Sequence, residues 1–174
     1  MGARAAVQSA KDHETKALVL VSYPLVGQNG EMRDEILHEI GDDVDALFIS
    51  GDQDHMCKID QLMEVRTKMR AKSWLAIVEG ADHGMSLKSK AGIDAMRQYI
   101  GILAAEWLDS RDVSRTTRSL SWNSADKKVK DSGWKNLMGG KTASIKDAFA
   151  KEPTKPEEEQ ISADEHPKKR RKKH

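Results

Sequence analysis

Acidic residues and a histidine follow two apolar segments of the sequence. Residues 44–50 end just before Asp52 and Asp54, and residues 74–78 end a few positions before His83. An imidazole can accept a proton from a nucleophile while a carboxylate fixes its tautomer and stabilises the imidazolium that forms. These residue types therefore predict two members of a nucleophile–base–acid relay, provided that the fold brings the two segment ends together.

The elements that must position these residues are strands that alternate with helices. Short, continuous apolar runs predict buried strands at residues 17–22, 44–50 and 74–78. Alanine-rich or helically spaced apolar residues predict helices at residues 2–12, 31–40, 58–71 and 91–108. This order predicts an α/β fold with about three parallel strands and flanking helices. Catalytic side chains of such sheets lie at the carboxyl ends of strands, so the acid and the histidine should share one edge.

The start of the chain points to a larger sheet. The first predicted helix has no strand before it, although a strand would normally precede such a helix. The chain order Asp then His is that of α/β-hydrolases, whose nucleophile stands earlier, on a G-x-S-x-G turn between a strand and a helix. We therefore expect residues 1–109 to form the C-terminal part of an α/β-hydrolase domain.

Four short motifs make this expectation more specific. They are MGARAA at residues 1–6, SYPL at 22–25, FISGDQDHMC at 48–57 and EGADHGM at 79–85. With these motifs, roughly residues 1–108 resemble the dienelactone-hydrolase-like family. That family includes the testis-expressed hydrolase-like proteins and subunit 3 of the NSL histone-acetyltransferase regulatory complex. The resemblance implies a serine hydrolase that acts on an ester, lactone or thioester-like bond.

The resemblance also assigns roles to individual residues. Asp54 would be the acid, and His83 would be the general base. Gly2 would complete the nucleophile turn, and Met1 would supply one oxyanion-hole N–H as the residue after the nucleophile. The serine would then lie one residue upstream of Met1, so we expect a truncated domain that is inactive as written.

Ordinary structural roles are the alternatives for the same residues. Asp54 could cap the helix that follows it or be a solvated loop acid, and Asp52 is the second candidate for the acid. His83 could be a loop histidine in a tight turn between Gly80 and Gly84. For Asp82 we expect a turn role.

No metal or cofactor site is expected. Asp54, His55 and Cys57 are close in sequence, but no second ligand cluster accompanies them, and thiolate sites usually recruit more than one cysteine. We expect Cys57 to be in the core or half-buried. The apolar stripe of the last helix, from Ile93 to Trp107, also reads as core. No run approaches the ~20 apolar residues of a membrane helix.

The charge balance divides the chain near residue 110. Residues 1–109 carry a net charge of −6 and residues 110–174 one of +7, which the total of +1 conceals. Because residues 110–174 lack an apolar stripe, we expect a disordered basic tail there. The block from Lys168 to Lys173 favours nuclear import, with a cytoplasmic location as the alternative. No aromatic residues interleave with it, so specific nucleic-acid binding is not expected.

Two classes of function follow from these observations, and the sequence leaves open whether the protein is an enzyme. The first is a hydrolase of the α/β-hydrolase fold, with a small ester-like substrate. The second is a non-catalytic interaction protein of a nuclear chromatin-regulating complex, with other proteins as its partners.

Overall fold

The computed structural model describes residues 2–10 and 14–136, and the predicted alternation of strands and helices is confirmed in them. The elements, in chain order, are α1 (Gly2–Ser9), β1 (Ala17–Val21), α2 (Glu35–His38), β2 (Asp45–Gly51), α3 (Ile59–Lys68), β3 (Lys72–Val78), α4 (Lys90–Asp109), β4 (Thr117–Asn123) and β5 (Lys128–Asp131). None of the helices in these residues is long and apolar enough to cross a membrane.

The strands form one mixed sheet. In the described part of the chain it has five strands in the order β1-β2-β3-β4-β5, and only β5 runs antiparallel to its neighbour. β2 and β3 pair along their whole length and are buried at almost every position, which explains their continuous apolar runs. The predicted α/β class is therefore confirmed.

Helix α4 supplies the largest apolar stripe against the sheet. Its Met96, Ile100, Leu103 and Trp107 are buried and pack on β2 and β3. The rings of Trp74 and Trp107 meet edge to face, with centroids 5.5 Å apart. This stripe is core, as the sequence predicts. Ser89 caps the helix by accepting a hydrogen bond from the Gly92 N–H.

The expected tail beginning at residue 110 is wrong for residues 117–131, and the described sheet has five strands where about three parallel strands were expected. These residues form β4, parallel to β3, and β5, which returns in a hairpin. Strand β4 has few apolar residues. It can be buried all the same, because the side chain of its Ser119 is small and its hydroxyl is hydrogen-bonded. Ser119 Oγ donates to Glu79 Oε1 at 2.6 Å, and the Ser119 N–H donates to Ser132 Oγ at 2.9 Å. The predicted disorder and basic block of residues 137–174 lie outside the described residues.

Two tryptophans that look isolated in the sequence anchor this extension. Trp122 of β4 lies directly over Gly92 of α4, where an added Cβ would come within 2.8 Å of the indole Cγ. Trp134 packs against the core and stacks under the Arg118 guanidinium, 5.5 Å from the ring centroid. Because these contacts join residues that are far apart in the sequence, helical or strand periodicity does not reveal them.

The second helix is shorter than predicted. The sequence predicts a helix at residues 31–40, but α2 has only four residues. Met32 pairs instead with Val26 in an isolated antiparallel bridge, and the Arg33 carbonyl accepts a hydrogen bond from Tyr23 Oη at 2.6 Å. Local hydrogen bonds of the loop therefore replace the first turn of the expected helix.

The contact of Trp122 with Gly92 predicts a coupling that double-mutant unfolding can measure. Gly92→Ala should destabilise the native protein by about 1–3 kcal/mol, because the new methyl group overpacks the indole. In a Trp122→Ala background the same change should become neutral, or stabilise by up to about 1 kcal/mol, because alanine favours the helix. Equal costs in both backgrounds, measured by thermal unfolding, would contradict the packing of β4 on α4.

Candidate active site

Asp54 and His83 lie in contact at the carboxyl edge of the sheet. Asp54 follows the end of β2 by three residues, and His83 follows the end of β3 by five. The Nδ1 atom of His83 is 2.9 Å from Oδ2 of Asp54, which is hydrogen-bond distance. The structure therefore brings together the acid and the histidine that the sequence singles out, although 29 positions separate them.

A close backbone approach at Gly51 sets this geometry. An added Cβ on Gly51 would come within 2.1 Å of the carbonyl oxygen of Ala81, a backbone atom that no side-chain rotation can move. The same carbonyl accepts the Gln53 N–H at 3.0 Å, and the Asp52 N–H donates to the Val78 carbonyl at 3.2 Å. Only glycine lets the loops after β2 and β3 lie this close.

Asp54 is a buried carboxylate with both oxygens bonded. The residue is 3% exposed, and its side chain is fully buried. Oδ1 accepts the Met56 N–H at 2.8 Å, while Oδ2 contacts the imidazole. The N-cap position of α3 is occupied by Lys58, so Asp54 does not act as that helix's N-cap. A solvated loop position is also inconsistent with this burial.

His83 joins the buried acid to the surface. Its side chain is 31% exposed, whereas that of Asp54 is 0% exposed. An ionised carboxylate only accepts hydrogen bonds, so the contact with Asp54 favours the tautomer that carries its proton on Nδ1. Nε2 then bears a lone pair, and within residues 2–10 and 14–136 no hydrogen bond reaches it. The ring is therefore arranged to accept a proton at Nε2.

The loop that carries His83 is held by its own backbone. Gly80 has φ +75°, which suits the tight turn expected from the sequence. Oδ1 of Asp82 accepts the N–H groups of Gly84 at 2.8 Å and Ser86 at 2.9 Å. The backbone hydrogen bond from Ser86 is the main cause that lowers the pKa of Asp82. The turn role expected for Asp82 is confirmed.

Asp52 has a structural contact instead of a contact with the histidine. Its Oδ1 accepts the Gly80 N–H at 2.7 Å and so links the loops after β2 and β3 a second time. The residue is exposed, in contrast to the buried Asp54. Of the two acids considered from the sequence, Asp54 is the one in contact with His83.

Cys57, three residues after Asp54, lies in the core, as expected. It is a free cysteine with no exposed surface. Burial raises the pKa of its thiol to about 11, so the sulfur stays protonated at neutral pH. Among the described residues, no group of three or more His, Cys, Asp or Glu side chains could hold a metal ion.

Some features of this edge are not apparent from the sequence. Ser22, which directly follows β1 and begins the SYPL motif, has φ +49°, a conformation that is uncommon for a residue other than glycine. Its N–H donates to the Ile49 carbonyl at 2.9 Å, and its buried Oγ has no hydrogen-bond partner among the described residues. Of the residues assigned to the nucleophile turn, Gly2 begins α1, and Met1 lies outside the described part.

Comparison with known protein families gives a match over the first part of the chain. A family model described as an alpha/beta hydrolase domain matches residues 1–108. The matched range holds Asp54, His83 and the strands β1 to β3, whereas β4 and β5 lie beyond it. No solved structure matches the chain.

The backbone contact at Gly51 predicts that adding a single methyl group there greatly destabilises the protein. Gly51→Ala should lower the free energy of unfolding by at least about 3 kcal/mol, because the new methyl group collides with a carbonyl oxygen. Gly101→Ala is the matched control, since no atom lies within 4 Å of an added Cβ on that exposed position of α4. It should stabilise by up to about 1 kcal/mol. Similar urea-unfolding curves for the two variants would show that the loops are not locked together at Gly51.

Proposed function

Because this chain belongs to the alpha/beta hydrolase family, we propose that Asp54 and His83 are the acid and the general base of a serine-hydrolase site. The observation that carries the proposal is the 2.9 Å contact between His83 Nδ1 and the buried Oδ2 of Asp54. The chain order Asp then His, at the ends of neighbouring parallel strands, agrees with it.

Each residue would have a defined part in the reaction. As a serine Oγ attacks the substrate carbonyl, Nε2 of His83 takes the hydroxyl proton. Asp54 stabilises the resulting imidazolium through Nδ1. His83 then gives the proton to the leaving alkoxide, and the acyl group stays on the serine. A water molecule, deprotonated by the same Nε2, then attacks the acyl carbon. The bond between this carbon and the serine Oγ breaks, the acid is released, and His83 returns the proton to Oγ.

The position of the nucleophile comes from the resemblance of MGARAA to the second half of a G-x-S-x-G turn. On this proposal the serine directly precedes Met1, and the Met1 N–H helps to hold the oxyanion. An ester, lactone or thioester-like substrate fits such chemistry, and the dienelactone-hydrolase-like group is our choice within the family. The 174-residue chain alone should then show at most a small residual activity.

The experiment is covalent labelling with a fluorophosphonate, a probe that reacts with activated serines. It compares the 174-residue chain with a longer one that carries the coding sequence upstream of Met1. Only the longer chain should react. In it, His83→Ala and Asp54→Asn should each slow labelling by at least about 10²-fold, because the serine loses its base or the base loses its tautomer.

Neighbouring residues of the same types serve as controls. His55→Ala replaces an exposed histidine whose ring centroid is 6.5 Å from that of His83, and labelling should persist. Asp52→Asn tests which of the two acids assists His83. If Asp52→Asn slowed labelling more than Asp54→Asn, the assignment of Asp54 as the acid would be overturned. Labelling that survives His83→Ala would refute the base role. If the longer chain is folded and does not react with the fluorophosphonate, the alternative function is favoured. The protein would then be a non-catalytic partner in a nuclear complex.

A further inference from the structure

A second polar site lies at the amino edge of the sheet, opposite the edge that carries Asp54 and His83. A cavity of about 450 Å³ opens there, between the end of α3 and the starts of β3 and β4. Trp74, Met63 and Val113 contribute apolar surface to it, whereas Arg66 and Lys72 contribute positive charge. The described residues that line this cavity include no carboxylate.

In the part of the chain that the structure describes, Arg66 donates hydrogen bonds to neutral acceptors alone. Its Nε donates to Ser73 Oγ at 3.1 Å, and its Nη2 donates to the carbonyl oxygens of Ser73 at 2.7 Å and Thr116 at 3.1 Å. Within the described residues no hydrogen bond uses Nη1. Burial lowers the pKa of the guanidinium to about 10, so it still carries its charge at neutral pH. Arg66 is half-buried, and a cation that is partly removed from water with no opposite charge near it in the described part of the chain carries a cost in free energy.

Three acids on the adjoining segments contact other cations. Three such ion pairs are Asp45 with Arg111 at 2.7 Å, Glu64 with Lys68 at 2.7 Å, and Asp112 with Arg115 at 2.9 Å. Lys72 is exposed at the rim of the cavity, and no ion pair with it occurs in the described residues. The cavity therefore has an excess of positive charge beside an apolar wall.

We propose that this cavity binds a small carboxylate whose remaining body is apolar. The carboxylate would accept hydrogen bonds from Nη1 of Arg66 and attract Lys72. The apolar body would lie against Met63 and the exposed Val113 and remove their surface from water. One free guanidinium nitrogen and one rim lysine suit a single negative charge, and the apolar wall disfavours a fully hydrated ion such as phosphate.

The experiment is calorimetric titration of the full chain with octanoate. 1-Octanol, which lacks the charge, and inorganic phosphate, which lacks the apolar body, are the comparison probes. Octanoate should bind at least about tenfold more tightly than either of them, as expected for a charge-assisted hydrogen bond. Equal binding of octanoate and 1-octanol, equal binding of octanoate and phosphate, or no binding of octanoate would each overturn the proposal.

Variants locate the binding. Lys72→Glu should weaken octanoate binding about tenfold or more, since it reverses the charge at the rim. Lys128→Glu makes the same change of net charge in β5, at the opposite edge, and should leave binding unchanged. Arg66→Met keeps the apolar stem and removes the charge, so binding should be lost in a chain whose circular dichroism is native. Equal weakening by Lys72→Glu and Lys128→Glu would refute the site. These readouts do not depend on hydrolase activity.

Discussion

The contact between the backbones at Gly51 and Ala81 is the constraint on which the candidate active site depends. Neighbouring parallel strands fix their carboxyl ends at one edge, but the loops beyond them are free to diverge. Here the loops are joined by the hydrogen bonds of Gln53 and Asp52 to the loop after β3. Because position 51 is a glycine, no side chain stands between its backbone and the Ala81 carbonyl, and the two loops can approach this closely. Asp54 and His83 meet as a consequence.

Burial then gives the two side chains different chemistry. The Asp54 carboxylate is removed from water, and it is stabilised by the Met56 N–H and by the imidazole. A buried carboxylate with these two donors has little freedom to turn, so it fixes the ring of His83 in one orientation. His83 remains partly exposed and can exchange a proton with a group beyond the loop. This division agrees with the acid and base roles that we propose for the two residues.

The sequence predicts the buried centre of the fold well and its periphery poorly. Strands β1 to β3 and helix α4 have continuous or periodic apolar residues because sheet and helix bury them against each other. In contrast, β4 is polar, and it is held by hydroxyl hydrogen bonds and by Trp122 over Gly92, which are contacts between distant positions. For the site, residue type and strand order indicate Asp54 and His83. The Met56 N–H and the close approach at Gly51 depend on loop paths, which local patterns do not encode.

The central claim is that Asp54 holds His83 with its proton on Nδ1. Nitrogen-15 NMR of the 174-residue chain measures this directly, with His83→Gln used to assign the ring signals. At a pH where the ring is neutral, we expect the proton on Nδ1 and an unprotonated Nε2. Asp54→Asn should shift this balance, because a neutral amide no longer requires a donor at Nδ1. A neutral ring with its proton on Nε2 in the native chain, or a balance that Asp54→Asn leaves unchanged, would contradict the account.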